Sequence, residues 1–449
     1  MLISRINQFA NKTRWLSLIL LAFCFIFAFP LPLVVNSAYL ALVLSFALLF
    51  VSQTAMDCFT TLIKNRFVIF SIVIYLSLLL FSLFVTTFHN QYDFTILRTL
   101  TNNFLSTIGC VSLVSLIYTW AGKRNIIDVM VHVLFVQTFL ILIMLLSPDV
   151  REMIQSFIRT DSQMERMATY NNVRGLGISG SVAFGLAITM GLLGFLLHYW
   201  FAFYNKKSNS LSTFIVFVLC LLAALSAGRT AVLGFVVGFL FYFFSMNFSS
   251  LLRNSFKQVL IFGIIVSSAT IYVLNNEFLM EVAFLYSRYV FRFVWNYLET
   301  GSFAVNSLTA LDNMYFVPPL QEMLIGSGQY INFDGTHYMH TDSGYMRFML
   351  FFGGVVSVLM YVVYIFINFW AYLKVKSVMS HSALFYGLLV FISFVFQYKG
   401  EVIFFSVAFM KIFYLVTFYY LLCVKFNPET QTLGLKVVPV PEPTASAVQ

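Results

Sequence analysis

Between Trp15 and Met56 the chain carries no charged residue, a run too long for one membrane helix and right for two. Pro30, Pro32 and the Asn36 and Ser37 pair supply the break between them. Further apolar runs follow at about 67–88, 99–121, 126–147, 176–204, 211–227, 230–246, 257–276, 345–372, 383–398 and 402–424. The pattern predicts twelve membrane-spanning helices with both chain ends on one side. Most connections are short, and two are large, at about 148–175 and 277–344. The motifs show no internal repeat and no matched pair of interrupted spans, which a transporter built of inverted repeats tends to have.

The segment 278–300, FLMEVAFLYSRYVFRFVWNYLET, is apolar enough to invite a thirteenth span. Two arginines near its centre would cost about 2.5–3.5 kcal/mol each in hydrocarbon, and a further crossing would invert the loop charges after it. Glu281, Arg288, Arg292, Asn296 and Glu299 recur at steps of seven, four, four and three, which is one helical face. The segment reads as an amphipathic helix lying at the membrane surface.

Composition agrees with this architecture. Of 449 residues, 60% are hydrophobic and 10% charged, with mean hydropathy +0.89, more apolar surface than a soluble core can bury. The 54 phenylalanines suit a lipid-facing surface with aromatic interfaces. The formal charge of +9 reports topology rather than nucleic-acid binding. Five cysteines, Cys24, Cys58, Cys110, Cys220 and Cys423, have no paired spacing and read as small core residues. The N-terminal stretch lacks a small-residue cleavage site and reads as an uncleaved first span. Residues 1–424 read as a single transmembrane domain, and the Pro/Ala/Ser-rich 425–449 as a disordered cytoplasmic tail.

Charge then assigns the sides. One set of loops holds fifteen cations against four acids (Asp57, Asp128, Glu429 and Glu442), and the other ten cations against thirteen acids. The positive-inside rule places the first set, with both termini, in the cytoplasm and the two large loops outside. Cation type changes sides as well, since ten of fifteen inner cations are Lys and nine of ten outer ones are Arg. Sidedness needs only charge, whereas arginine grips phosphate in a planar fork. Arginine also snorkels well, so an anionic ligand outside and a simple interfacial role both fit.

Three stretches concentrate the candidate chemistry. In LSAGRTAVLG, 225–234, Arg229 is the one charge within 211–246 and falls at an outer hairpin tip. It is either a snorkelling turn residue or a phosphate ligand in a low-dielectric pocket. In ATYNNVRGLGISGSVAFG, 168–185, Arg174 precedes a Gly/Ser-rich entry into the sixth span, where backbone N–H groups bind anions readily. Gly175, Gly177 and Gly180 serve equally as loop punctuation or close helix packing. In GTHYMHTDSGYMRFMLFFGG, 335–354, His337, His340, Asp342, Tyr345 and Arg347 crowd the mouth of a span, after a loop with turn signals at GSG and DG. Thr341 or Asp342 can cap the helix that begins near Gly344, which accounts for one polar residue and not for its neighbours. An arginine in a helix's first turn works against the dipole, and local conflict of this kind marks a site.

Other signals are bland or absent. His337 and His340 stand three apart without a third ligand, so no metal site is expected. No nucleotide-binding loop, HExxH helix or GxSxG elbow occurs. Lys411, in the middle of the last span, reads as one half of an ion pair inside the bundle. His132 and His198 lie near inner span ends and read as structural. Arg288 and Arg292, one turn apart on the interfacial helix, either hold a lipid or snorkel.

Together these residues resemble the O-antigen polymerase family (Wzy type). Its members pair a small-residue/Arg hairpin, here SAGRTAVL, with a late outer loop ending in a Gly-x-Gly turn and an Asp-Ser-Gly-Tyr helix start. Those elements are GSG at 326–328 and DSGYMRFMLFFGG at 342–354. An Arg-x10-Gly pattern of some members is matched by Arg174 with Gly185 and Arg166 with Gly177, while Arg288 and Arg292 match none. The related O-antigen ligases carry His-Asn/Ser and a Gly eleven residues after the His. Here Thr341 follows His340 and the Gly arrives at Gly353, which favours polymerase over ligase.

The resemblance implies an all-α, multi-span fold like that of the glycosyltransferases (GT-C-like) that use lipid-linked sugars, set in a bacterial inner membrane with its site on the periplasmic face. It implies a donor glycan on undecaprenyl diphosphate, a lipid-linked repeat unit as acceptor, and a chain-length regulator as a partner. It calls for no cofactor and no metal, arginines replacing the cation that nucleotide-sugar enzymes use. Arg229, Arg174 and Arg347 would converge on one diphosphate, with Arg288, Arg292, His337 and Tyr345 also lining the substrate. Asp342 or His340 would accept the hydroxyl proton, Asp342 alternatively orienting His340. The rival class is a flippase or other transporter, which calls for polar residues lining spans at mid-membrane.

Overall fold

The computed structural model describes residues 2–31, 36–122, 124–170, 173–181, 183–204, 210–245, 267, 270–301 and 311–426. An apolar chain that leaves water must satisfy its amides internally, which favours helices. Helices make all the regular structure among the described residues, where no strand forms. In chain order they begin with α1 (Leu2–Phe27), α2 (Ser37–Leu49), α3 (Gln53–Ile63), α4 (Arg66–Phe88), α5 (Thr95–Trp120) and α6 (Ile126–Leu146). The first large connection is helical, as α7 (Pro148–Ile158) and α8 (Asp161–Ala168), and leads to α9 (Phe184–Phe203), α10 (Ser210–Ala227) and α11 (Ala231–Ser245). The second contains α12 (Glu277–Val290), α13 (Arg292–Thr300) and α14 (Leu320–Ile325). It is followed by α15 (Gly344–Phe352), α16 (Gly354–Val375), α17 (Ser382–Gln397) and α18 (Val407–Phe426).

The chain is an all-α polytopic membrane protein. By length and composition α4, α5, α6, α9, α16 and α18 qualify as spans, with α2 and α3 as a further pair bent by 115°. α10, α11 and α17 are apolar but shorter. Most of the apolar run 257–276 lies outside the described residues. Two exposure patterns separate centre from rim. α9 and α18 are buried along most of their length, whereas α16 exposes Val355, Val358, Leu359, Val362, Ile365, Phe366 and Phe369. That stripe recurs at three- and four-residue steps and is apolar, the inverse of a soluble helix, so it faces lipid.

α9 and α11 cross with their backbones in contact. A Cβ added at Gly234 would lie 2.1 Å from the carbonyl oxygen of Gly191, so only glycine admits this approach. The crossing seats the α10–α11 hairpin against the start of α9, and Gly175 N–H donates to the Ser226 carbonyl at 2.7 Å.

Several boundaries depart from the apolar pattern. The run 176–204 becomes helical only at Phe184, because Arg159 ties the preceding irregular stretch in place. Its guanidinium donates to the carbonyls of Ser179 (2.6 Å) and Gly177 (3.4 Å) and to Gln155 Oε1 (3.2 Å). The run 345–372 breaks into α15 and α16 at Gly353, whose φ of 83° with ψ of 160° is a backbone region that essentially only glycine adopts. The GSG turn caps the end of α15 there, Ser327 N–H and Gly328 N–H donating to the carbonyls of Leu350 and Phe351. The amphipathic segment is likewise two helices, parted at Phe291, and Arg288 folds back to pair with Glu299. α18 runs to Phe426, two residues past the expected boundary, and 427–449 lies outside the described residues.

Lys411 has no carboxylate partner among the described residues. Its ammonium donates to the Phe25 carbonyl at 2.6 Å and lies over the Phe25 ring, 4.6 Å from the centroid. The end of α1 leaves carbonyls without intrahelical donors, and Lys411 takes one of them. The expected ion pair is replaced by a helix C-terminus.

Candidate functional site

Two groups of charged side chains meet at one end of the bundle, where the α10–α11 hairpin, the loop before α9, the start of α15 and the α17–α18 turn adjoin. The turn is built by Gln397, whose Oε1 accepts from Val402 N–H (2.8 Å) and Ile403 N–H (3.0 Å). Gly344 abuts it so closely that a Cβ would lie 2.5 Å from the Gly400 carbonyl oxygen. These contacts put Asp342, Lys399 and Glu401 side by side although some sixty residues separate them in sequence.

The first group is Arg174, Arg229 and Lys399. Arg174 lies over the Tyr170 ring at 4.4 Å and Arg229 over the Tyr289 ring at 5.8 Å. The two tyrosines meet edge-on with centroids 6.2 Å apart. α12 supplies Tyr289, and its neighbour Tyr286 anchors the helix by donating to the Leu222 carbonyl at 2.5 Å. Stacking on aromatic faces holds a guanidinium while leaving its fork free to bind in plane. Lys399 Nζ donates to Thr230 Oγ1 at 3.2 Å. No carboxylate forms an ion pair with any of the three among the described residues.

The electrostatics follow from that excess. Crowding by protein atoms, and then the charges of Arg174 and Arg229, pull the Lys399 ammonium below its ordinary range, with Asp342 acting the other way. Burial pushes the Tyr289 hydroxyl up, and the same two arginines pull it back in part. Both shifts identify one positively charged patch, and an anion entering it would relieve the repulsion.

The second group is neutralised within the protein. Arg347, buried in α15, donates toward His337 Nε2 (3.2 Å) and pairs with Glu401 (3.4 Å). Its guanidinium stacks on Tyr330 at 4.0 Å, and the Tyr330 hydroxyl donates to Glu401. Asp93 accepts from Tyr330 N–H (2.7 Å) and Ile331 N–H (2.8 Å), fixing that loop. Burial pushes the Asp93 carboxyl up, but these N–H donors and those of Thr95 outweigh it and hold the carboxyl below its usual range. Burial and Arg347 pull the His337 imidazole down, against Asp342 and Glu401. Asp342 is exposed and lies 3.4 Å from His337 Nε2, between the two groups.

Of the three arginines expected on one diphosphate, the structure sets Arg174 and Arg229 near Lys399 and pairs Arg347 with Glu401 in the second group. Asp342 orients toward His337 rather than His340. His340 is exposed, 3.4 Å from Thr336 Oγ1 through Nδ1, with a left-handed φ of 54°. The cap of α15 is Ser343, which accepts from Met346 N–H, rather than Thr341 or Asp342. Tyr345 turns toward helix packing and donates to the Phe394 carbonyl at 2.9 Å. Arg288 is occupied by Glu299, and Arg292 lies on the neighbouring α13. Among the described residues no group of three His, Cys, Asp or Glu side chains converges.

Sequence reasoning missed Lys399, Glu401, Tyr330 and Asp93. A signal existed for Lys399: it is the one lysine among the ten outer-loop cations, in a short charged turn between apolar runs. No family model, curated protein or solved structure matches the chain.

Proposed function

We propose that this chain is a membrane glycosyltransferase that polymerises lipid-diphosphate-linked oligosaccharide repeats, with Arg174, Arg229 and Lys399 holding the diphosphate. The observation that carries the reading is that, among the described residues, no carboxylate forms an ion pair with these three cations, of which Arg174 and Arg229 lie over tyrosine rings at one end of the bundle. The resemblance of the hairpin and the DSGY helix start to the O-antigen polymerases supplies the substrate class. On the charge distribution that end is periplasmic, the termini are cytoplasmic and the full count is twelve spans in a GT-C-like arrangement.

In the reaction a hydroxyl of the acceptor unit attacks the anomeric carbon of the donor glycan. A glycosidic C–O bond forms, the C–O bond to the lipid diphosphate breaks, and the diphosphate leaves with the negative charge. Arg174, Arg229 and Lys399 stabilise that charge as it develops, which is where preorganised cations act most strongly. The acceptor proton passes to Asp342, exposed beside Lys399 and His337. The second group holds α15 and the 330–337 loop so that Asp342 faces the first.

The test is to incubate the purified chain with a lipid-linked repeat unit and resolve the products by length. A ladder of glycans on lipid diphosphate supports the reading. A ligase yields transfer to another acceptor without a ladder, and a flippase yields movement between leaflets with no new bond.

A further inference from the structure

A cavity of about 450 Å³ is lined by residues of α1, α2, α5, α7, α8, α18 and the 180–181 turn. Its size is in the range of small-molecule sites. Two cations, Arg98 and Lys411, line it, and no Asp or Glu does. Lys411 is 2% exposed, and its only described partners are a backbone carbonyl and an aromatic ring. A lysine ammonium has three N–H donors, and one neutral carbonyl leaves two of them for something in the cavity.

The helix ends reinforce the sign. Asn36 and Ala38 at the start of α2, Thr160 and Gln163 at the start of α8, and Val407 and Ala408 at the start of α18 all line the cavity. The N-termini of α2 and α8 are capped within the chain, by Asn36 Oδ1 accepting from Ala38 N–H and Tyr39 N–H and by a Thr160–Gln163 capping box, which leaves the start of α18 to present the positive end of a helix dipole. Two helix C-termini are present, those of α1 and, at Ile158, of α7, and that of α1 is already answered: Ser37 Oγ, Lys411 Nζ and Gly180 N–H take the carbonyls of Cys24, Phe25 and Phe27. Tyr39 donates to Asn102 at 2.6 Å, which leaves the Asn102 amide N–H groups for a further acceptor.

We propose that this cavity is a second anion site, taking a phosphate mono- or diester between Lys411 and Arg98. The inference rests on the cavity's own residues and stands whether or not the polymerase reading does. Arg159, which fixes the loop between the two sites, keeps them structurally separate.

The experiment uses the full chain carrying Arg229→Gln, so that phosphate bound by the first cluster is removed from the signal. Binding of dihexanoyl phosphatidic acid is compared with that of dihexanoylglycerol, which lacks the phosphate, by native mass spectrometry from neutral detergent. The phosphate-bearing lipid is expected to be retained and the glycerol lipid lost. Arg98→Gln and Lys411→Met should each weaken retention about tenfold or more, as loss of a charge-assisted contact requires. Competition by inorganic phosphate assigns the site to the free ion, and its failure to compete assigns the site to the lipid headgroup. Equal retention of both lipids overturns the proposal. So does undiminished binding in Arg98→Gln, an exposed position whose substitution leaves the fold intact even if Lys411→Met does not assemble.

Discussion

Lys399 and Glu401 are two residues apart on one turn, yet they belong to charge clusters that have resolved their electrostatics in opposite ways. Glu401 joins a set in which Arg347 has its carboxylate, Tyr330 donates to that carboxylate and His337 meets Arg347, although Arg347 Nη2, His337 Nδ1 and Glu401 Oε1 have no hydrogen-bond partner. Lys399 joins Arg174 and Arg229, which rest on tyrosine rings and form no ion pair with an acid among the described residues. A guanidinium already paired with a carboxylate holds the protein together and has little left for a ligand. One that stacks on a ring keeps its charge and its fork available. The difference separates the arginines that build the site from those that bind in it.

The largest expected effect tests the closed cluster. Glu401→Gln leaves Arg347 buried without its counter-charge, and removing one partner of such a pair costs about 3–5 kcal/mol. Thermal or denaturant unfolding of the purified variant should show that loss, and Glu401→Gln with Arg347→Met should recover part of it. Equal stability of wild type and Glu401→Gln would mean that the cluster is not self-contained. Asp342→Asn comes next. Asp342 caps no helix, so stability should hold while polymerisation falls on the order of 10²-fold, the scale of general-base catalysis. A normal ladder of chain lengths from Asp342→Asn would remove it from the proton path.

Smaller effects sharpen the same boundary. Ser343→Ala removes the cap of α15 and should cost about 1 kcal/mol in stability. A mild shift in its own unfolding curve, larger than that of Thr341→Ala at the same expression level, is the expected result. The smallest effect is a pH dependence. The His337 imidazole is held below 6.5 by burial and Arg347, so the folded state prefers it neutral. Its contribution is present above about pH 6.5 and is lost as pH falls through the lowered folded value. Unfolding measured from about pH 7.5 to about pH 5 should show a steeper loss for wild type than for His337→Gln. Parallel curves would put the acid sensitivity elsewhere.

Much of the scaffold was legible in advance, and the reasons are specific. Apolar runs locate helices because hydrocarbon leaves the backbone no other partner. The Gly-x-Gly turn and the DSGY helix start stood out in the sequence, and the glycines of both make close backbone approaches, the turn at 326–328 to the end of α15 at 350–351 and Gly344 to the Gly400 carbonyl. Pairing was not legible. Arg159 and Arg174 lie in the same outer loop and look alike in sequence, but one is spent on the carbonyls of Gly177 and Ser179 and the other stacks on Tyr170. Arg347 appeared to be a ligand because its partner Glu401 lies 54 residues away across a turn that forms only in the folded chain. Helix breaks at Phe291 and Gly353 escaped hydropathy because apolar residues flank each break directly, Val290 and Phe293 at the first and Phe351 and Val355 at the second.

The most direct measurement is binding of undecaprenyl diphosphate to the purified chain, set against undecaprenol, for wild type, Arg229→Lys, Arg174→Lys and Arg347→Lys. Lysine preserves charge and sidedness but not the planar fork. The account predicts that Arg229→Lys and Arg174→Lys each weaken binding of the diphosphate about tenfold or more. Arg347→Lys should bind it nearly as well as wild type wherever it folds, because Arg347 serves the closed cluster. Wild-type affinity in Arg229→Lys and Arg174→Lys, or loss confined to Arg347→Lys, would contradict the assignment of the open cluster as the diphosphate site.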